Sequence, residues 1–319
     1  MYDEQSRWSK LRVLDGGFGT ELENSGFSLK ANLQFFTVFQ FRMILYGVQG
    51  QSLMILTWWS TFTKGMIRFI LAGARVILTN SYHANIRRMM ENLQISKNDA
   101  TRILAKSVEL AIKAVNESGT SEVEVIGSVG PYATTLSDCS EYNGHYVDEV
   151  SETVLVDHYI EQTAPLLQAG LKMFAFETIP AVVEVKAVLV ALDKLNADMK
   201  CWISLACQDG ENTTHNDSFK SAANIALAHP KVVGIGINCT HPSYVVDLLK
   251  SIDGCLNGKI AVVYPNSGSW NSTASSAVTK ETVREWKNLG VRLIGGCCGV
   301  TPEMIGILAE YVHQLETGV

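Results

Sequence analysis

Two adjacent cysteines, Cys297 and Cys298, stand between Gly295-Gly296 and Gly299, just after a short apolar run from Val291 to Ile294. A third, Cys239, ends another apolar run, Val232-Val233-Gly234-Ile235-Gly236-Ile237-Asn238. Adjacent residues on a regular strand point to opposite faces. Both sulfurs of the pair therefore face one point only if the chain leaves the strand, and the three glycines permit that bend. If the fold brings the two strand ends together, three thiolates can hold one soft metal, zinc before others. The spacing is not that of a zinc finger, so position at strand ends carries the reading. The plainer alternative is three small buried residues, since free cysteine is among the most buried types.

Three cysteinates on Zn²⁺ leave a net charge of about −1 and a fourth position open for water or substrate. So electron-rich a site is poorly suited to making hydroxide. It suits a further thiol, whose proton is lost near neutral pH on coordination. A free thiol, with a pKa of about 8.5, stays mostly protonated there. Asp15 and Glu177 each end an apolar run abruptly and could hold the ammonium of an amino acid. Together these residues point to methyl transfer onto a thiol amino acid. Asn80, Ser81 and Asn266 also stand at strand ends. Each has a bland reading: Asp15 and Glu177 as helix caps or loop braces, Asn266 as a turn former after Pro265. His83 follows the second strand and could reach the same pocket, whereas His241 and His215 read as loop residues. Cys139, Cys201, Cys207 and Cys255 read as structural or incidental, with Cys207 the spare candidate.

These positions make sense only on a particular scaffold. Apolar runs recur at residues 11–17, 75–82, 122–131, 173–178, 201–206, 232–239, 259–266 and 291–298. Helical patterns lie between them, at 64–72, 98–116, 147–168, 181–195, up to 228, 243–251, 279–288 and 302–315. Strands apolar on both faces suit a parallel sheet covered by helices. Eight such units predict an α/β chain folded as a (β/α)8 TIM-type barrel, whose usual size of about 250 residues is slightly exceeded here. A doubly wound open sheet is the alternative. No linker or low-complexity tract divides residues 1–319, so one domain is expected. Barrel enzymes carry their chemistry at the C-terminal strand ends, where the residues named above fall.

Composition narrows the classes further. With 47% hydrophobic and 18% charged residues, the chain buries a large core. A net charge of −6 argues against nucleic acid as a partner. Residues 33–62 carry a single charge, Arg42, yet polar residues and glycines interrupt the run. It reads as buried or irregular helix rather than a membrane span. No secretory leader is visible at Met1-Tyr2-Asp3-Glu4, so reduced thiols and a cytoplasmic protein are expected.

The chain resembles the homocysteine S-methyltransferase family. The resemblance rests on Asp15-Gly16-Gly17, Thr20-Glu21-Leu22, Ala72-Gly73-Ala74, Thr79-Asn80-Ser81-Tyr82 and Gly127-Ser128-Val129-Gly130-Pro131. It extends through Phe176-Glu177-Thr178, Gly236-Ile237-Asn238-Cys239, Tyr264-Pro265-Asn266-Ser267-Gly268 and Gly295-Gly296-Cys297-Cys298-Gly299. It implies a zinc-dependent (β/α)8 barrel that makes methionine from homocysteine, with Cys239, Cys297 and Cys298 as zinc ligands. It also implies that Asp15 and Glu177 help bind the amino-acid part of homocysteine. The Tyr-Pro-Asn-Ser-Gly stretch and the length resemble the branch that takes its methyl group from S-methylmethionine or S-adenosylmethionine. The betaine-using branch is longer, and cobalamin-dependent methionine synthases are much larger. Some members methylate selenocysteine or selenohomocysteine, which suits the same site. A monomer or weak homo-oligomer is expected. Residues 30–63 depart from the family's Pro-Leu-Trp-Ser-like segment and read as a divergent or irregular insertion in the first β/α unit. His83 stands where a Gln is usual.

Two rivals remain from the residues alone. A barrel hydrolase or aldolase would want clustered histidines or a Schiff-base lysine at a strand end, and neither is present. A non-catalytic zinc- or redox-sensing protein would use Cys297-Cys298 without turning over substrate.

Overall fold

Short apolar runs pair in parallel wherever helices can cover both faces of the sheet. The computed structural model describes residues 7–24, 52–268 and 278–318. The expectations placed on residues 1–4 and on 30–51 lie outside the described residues. The strands are β1 Arg12–Val13, β2 Val76–Leu78, β3 Glu124–Val129, β4 Met173–Ile179, β5 Lys200–Leu205, β6 Val232–Asn238, β7 Ile260–Tyr264 and β8 Val291–Ile294. They bond in the order β1-β8-β7-β6-β5-β4-β3-β2. A parallel Leu14–Val76 bridge closes the ring. There the Arg75 amide donates to Val13 O at 2.8 Å and the Asp15 amide to Val76 O at 3.1 Å. The closure makes a (β/α)8 barrel and rules out the open doubly wound sheet.

The described helices of seven residues or more are α1 Phe18–Asn24, α2 Ser52–Leu71, α3 Ile86–Leu93, α4 Lys97–Ser118, α5 Glu152–Gln168, α6 Val182–Leu195, α7 Phe219–Leu227, α8 Val245–Ser251, α9 Lys280–Asn288 and α10 Pro302–Thr317. Their ends follow local chemistry. The Ser96 side chain caps α4, and Gly119 at φ 65° ends it. Thr301 caps α10, with Pro302 in its first turn. Two boundaries and one whole helix differ from the sequence pattern. The fifth helix starts at Glu152 rather than Val147, because His145–Asp148 form a separate 3-10 turn and Ser151 occupies the N-cap position. The second begins at Ser52 rather than Lys64, so residues 52–63 of the divergent segment are regular helix. Helix α3 was not anticipated; one face of it, Ile86, Met89 and Leu93, is buried.

The core has two layers. Inside the barrel Leu14, Val76, Ile126, Trp202, Val262 and Leu293 fill the lumen, and Trp8 packs with them. The Trp202 indole donates to Tyr264 Oη at 3.2 Å, and that hydroxyl donates to Ser204 Oγ at 2.7 Å. A fully buried indole N–H is thus satisfied. The larger layer lies between strands and helices. The strand starts carry charge: Arg12, Arg75, Lys172, Lys200, Lys231, Lys259 and Arg292 stand at or beside the start of every strand except β3, which begins with Glu124. No described helix is long and apolar enough to cross a membrane.

Candidate active site

The C-terminal end of β8 is shaped by its neighbours on both sides. Gly295 N donates to Val263 O at 2.9 Å, Gly296 N to Asp15 O at 3.0 Å and Cys297 N to Pro265 O at 2.8 Å. The chain then turns at Gly299, φ 80°, where a Cβ would lie 2.0 Å from Ser267 Oγ. Gly17 presses on the same turn from β1, since a Cβ there would come within 2.4 Å of the Cys297 carbonyl oxygen. These close approaches swing both cysteines of the pair toward one side, as the bend required.

Cys239 arrives from β6 in a left-handed conformation, φ 47°. Its sulfur lies 3.8 Å from that of Cys298, and Cys297 Sγ lies 4.0 Å from Cys298 Sγ. All three sulfurs fall within 4.8 Å of one another. Thiolates bound at about 2.3 Å to a tetrahedral metal sit about 3.8 Å apart. The spacing therefore fits one ion, and the trio could hold a metal. Its electrostatics agree. Hydrogen bonds from Cys239 and Cys297 pull the Cys298 thiol far below its ordinary range. Cys297 is pushed well up by its bonds to Cys239 and Cys298 and by burial. For Cys239 the bond with Cys297 lowers the thiol, but the bond to Cys298 and burial outweigh it. One negative charge is stable among these three sulfurs alone; three need a cation.

Asp15 and Glu177 both face the barrel mouth. Asp15 is buried, and its Oδ2 accepts from the Leu78 amide at 2.9 Å. Burial drives its carboxyl well above the usual range, against that hydrogen bond, and Glu177 adds to the rise. Burial likewise lifts Glu177 to about 7, opposed by a hydrogen bond from the Ser128 hydroxyl and by Tyr264. Two buried acids of raised pKa in one pocket would be relieved by a cationic ligand. Asn266 Oδ1 is buried with no hydrogen-bond partner. Ser81 is already engaged: its hydroxyl donates to Ser128 O at 2.6 Å and meets Thr79 Oγ1 at 2.7 Å. Asn80 is half-buried beside it. His83 is open to solvent at the edge of the site, with Cys298 near enough to act on its ring. His241 accepts from the Ser243 amide at 3.3 Å in its loop, and His215 contacts Asp148 at 3.2 Å. Cys201 and Cys207 are buried away from the trio.

Three residues escaped the sequence reading. Tyr142, in a 3-10 turn after β3, places its hydroxyl 4.0 Å from Cys239 Sγ and 3.9 Å from Cys298 Sγ. Its neighbour Glu141 is buried, and burial raises its carboxyl. Neither lies in a periodic element, so no pattern flagged them. Asn238, the last residue of β6, accepts from the Thr178 amide at 2.8 Å and donates to Thr178 Oγ1 at 2.8 Å. Its only signal in the sequence was an amide beside Cys239 at the end of an apolar run.

Comparison with known proteins agrees with this geometry. The family profile described as homocysteine S-methyltransferase matches residues 12–312. Homocysteine S-methyltransferase 1 of Arabidopsis thaliana is 29% identical over 318 residues, covering 93% of this chain and 92% of that protein. The betaine-homocysteine S-methyltransferase of Drosophila melanogaster is 34% identical over 274 residues, 77% of this chain and 82% of its own. Among solved structures, the metallated form of the homocysteine methyltransferase MmuM from Escherichia coli superposes with a TM-score of 0.77 at 28% identity, covering 94% of this chain and 96% of that one. With a barrel of this topology, a thiol trio at metal-binding spacing and a match over nearly its whole length, the chain belongs to the homocysteine S-methyltransferase family.

Proposed function

We propose that the protein transfers a methyl group from S-methylmethionine or S-adenosylmethionine to the thiol of homocysteine, giving methionine, with zinc held by Cys239, Cys297 and Cys298. The observation that carries this reading is the sulfur triangle, whose 3.8 Å and 4.0 Å edges suit a tetrahedral thiolate site. Bound zinc supplies the Lewis acidity that lets an acceptor thiol shed its proton near neutral pH. The rest falls to the chain. Asp15 and Glu177 hold the acceptor's ammonium, which restores both to their ionised forms. Asn266 Oδ1 gives that ammonium, or another N–H of the ligand, a further acceptor. Asn80 and Ser81 form the wall beside β2, and Tyr142 covers the sulfurs from the other side. These residues align the acceptor sulfur with the donor's sulfonium methyl. A new S–CH₃ bond forms as the donor's C–S bond breaks; the donor leaves as a neutral thioether, and the acceptor's proton goes to solvent. The donor set also suits a selenolate from selenocysteine or selenohomocysteine.

The test is zinc per chain by elemental analysis, together with methionine formation from homocysteine and each sulfonium donor. One zinc and turnover are expected, and their relative rates rank the donors. Cys298→Ala should lose both zinc and activity; activity retained in that variant overturns the reading.

A further inference from the structure

The opposite mouth of the barrel holds an arrangement that methyl transfer leaves unused. Near the starts of β5 to β8, a cavity of about 440 Å³ opens at the base of the molecule. That volume falls within the range of small-molecule sites, roughly 300–1,000 Å³. Trp8, Val233, Leu256 and Ile260 supply apolar lining, while Lys200, Lys259 and Arg292 bring positive charge. None of the described lining residues is acidic. In a chain with net charge −6, that is a concentration of one sign.

Helix ends explain part of it. Lys200 Nζ donates to Pro230 O at 3.2 Å, and Lys259 Nζ donates to Leu227 O at 2.6 Å and His229 O at 2.8 Å. Arg292 Nη1 donates to Lys287 O at 3.0 Å and Val291 O at 2.8 Å. Cations are favoured at the carbonyl ends of helices. Carbonyls hold the Lys259 and Arg292 head groups without cancelling their charge, Lys200 also acts on Asp198 outside the cavity, and Lys259 keeps a third N–H for another acceptor. The charges also oppose one another: burial lowers the Lys259 ammonium, and Lys200 presses it the same way against the pull of Cys201. Nearby, Arg7 and Arg12 lie over the Trp8 ring, 5.1 and 5.7 Å from its centroid. Both arginines pair with Glu124, so that acid is already engaged.

We infer that this basal cavity binds a small oxyanion carried on an apolar or aromatic body, a phosphate ester or a carboxylate. The oxyanion lies among Lys200, Lys259 and Arg292, and its ring or chain packs against Trp8 and the aliphatic floor. The site is separate from the thiol trio, which stands at the other end of the strands.

The probes are phenyl phosphate, benzoate and inorganic phosphate, titrated calorimetrically into zinc-loaded full-length protein saturated with homocysteine. Lys259→Gln and Arg292→Gln are the variants, with Lys113→Gln on α4 as a control for general charge loss. Saturable binding of phenyl phosphate or benzoate is expected, tighter than that of inorganic phosphate. Each basal variant should weaken it about tenfold, the cost of one charge-assisted hydrogen bond, while zinc content and methionine formation stay unchanged. Phenyl phosphate alone binding assigns a phosphate ester; benzoate alone assigns a carboxylate. No saturable binding overturns the inference. So does binding that both basal variants leave intact, that Lys113→Gln weakens equally, or that shows no preference for the ring.

Discussion

Thr178 shows how single residues set this site. It sits at φ 62°, where a β-branched residue is strained. Asn238 holds it there with one hydrogen bond in each direction. Removing that amide in Asn238→Ala leaves the buried Thr178 N–H without its acceptor, at a cost of about 1–3 kcal/mol. Chemical denaturation should show that loss, and homocysteine affinity should fall with it because Glu177 precedes Thr178. Gly17 acts by bulk: in Gly17→Ala the added carbon, 2.4 Å from Cys297 O, must displace the turn. The expected result is a folded barrel, judged by circular dichroism, that retains less than one zinc per chain. The three cysteines were legible in the sequence because each ends an apolar run. Asn238 was not read as a brace, since an amide at a strand end has the same appearance whether it touches substrate or backbone. Tyr142 was not legible because only the tertiary path of its loop brings it to the sulfurs.

Helix α6 reaches that loop through Glu184. This carboxylate is fully buried; it accepts the Tyr146 hydroxyl at 2.6 Å and the Tyr132 amide at 2.9 Å. Tyr146 stands four residues beyond Tyr142, so α6 anchors the segment that covers the thiols. Burial lifts Glu184 to about 7, against those hydrogen bonds. The folded protein thus keeps a proton that the unfolded chain releases near its ordinary value of 4.5. Stability from this group is full below about 4.5 and is lost as pH rises to about 7, by about 3 kcal/mol. In Glu184→Gln, plots of unfolding free energy against pH should be flatter than wild type by that amount over that window. Glu184→Ala should raise the KM for donor more than it lowers zinc content, since it frees the loop rather than the ligands. At this scale the sequence marked most helices and misplaced the starts of α2 and α5. The apolar face of α3 spans only two turns, too short to stand out, and the 3-10 turn at His145 ran visually into α5.

The whole molecule depends on joining its two ends. β1 is two residues long and pairs with β8 through Arg12–Leu293 and Val13–Ile294. The amide of Gly17 donates to Val300 O at 2.9 Å, and that of Gly299 to Thr20 Oγ1 at 2.8 Å. Contacts so far apart in sequence are formed late in folding, because loop closure precedes any gain from them. Deleting residues 291–319 should therefore abolish the cooperative thermal transition rather than lower its midpoint, as scanning calorimetry would show. The eightfold alternation of apolar runs and helices made the barrel legible from composition and pattern. Its closure through a two-residue strand and one bridge was not, because so short a run carries no periodicity.

The meeting of Gly17 with Cys297 has a consequence for synthesis. A ribosome reaches the pair of sulfurs only after β1 to β7, and until β8 leaves the exit tunnel the first strand has β2 on one side and an open edge on the other. A metal held by all three thiols would be captured only once β8 has emerged, and a product terminated before it is left with an open sheet edge, an easy target for cellular proteases.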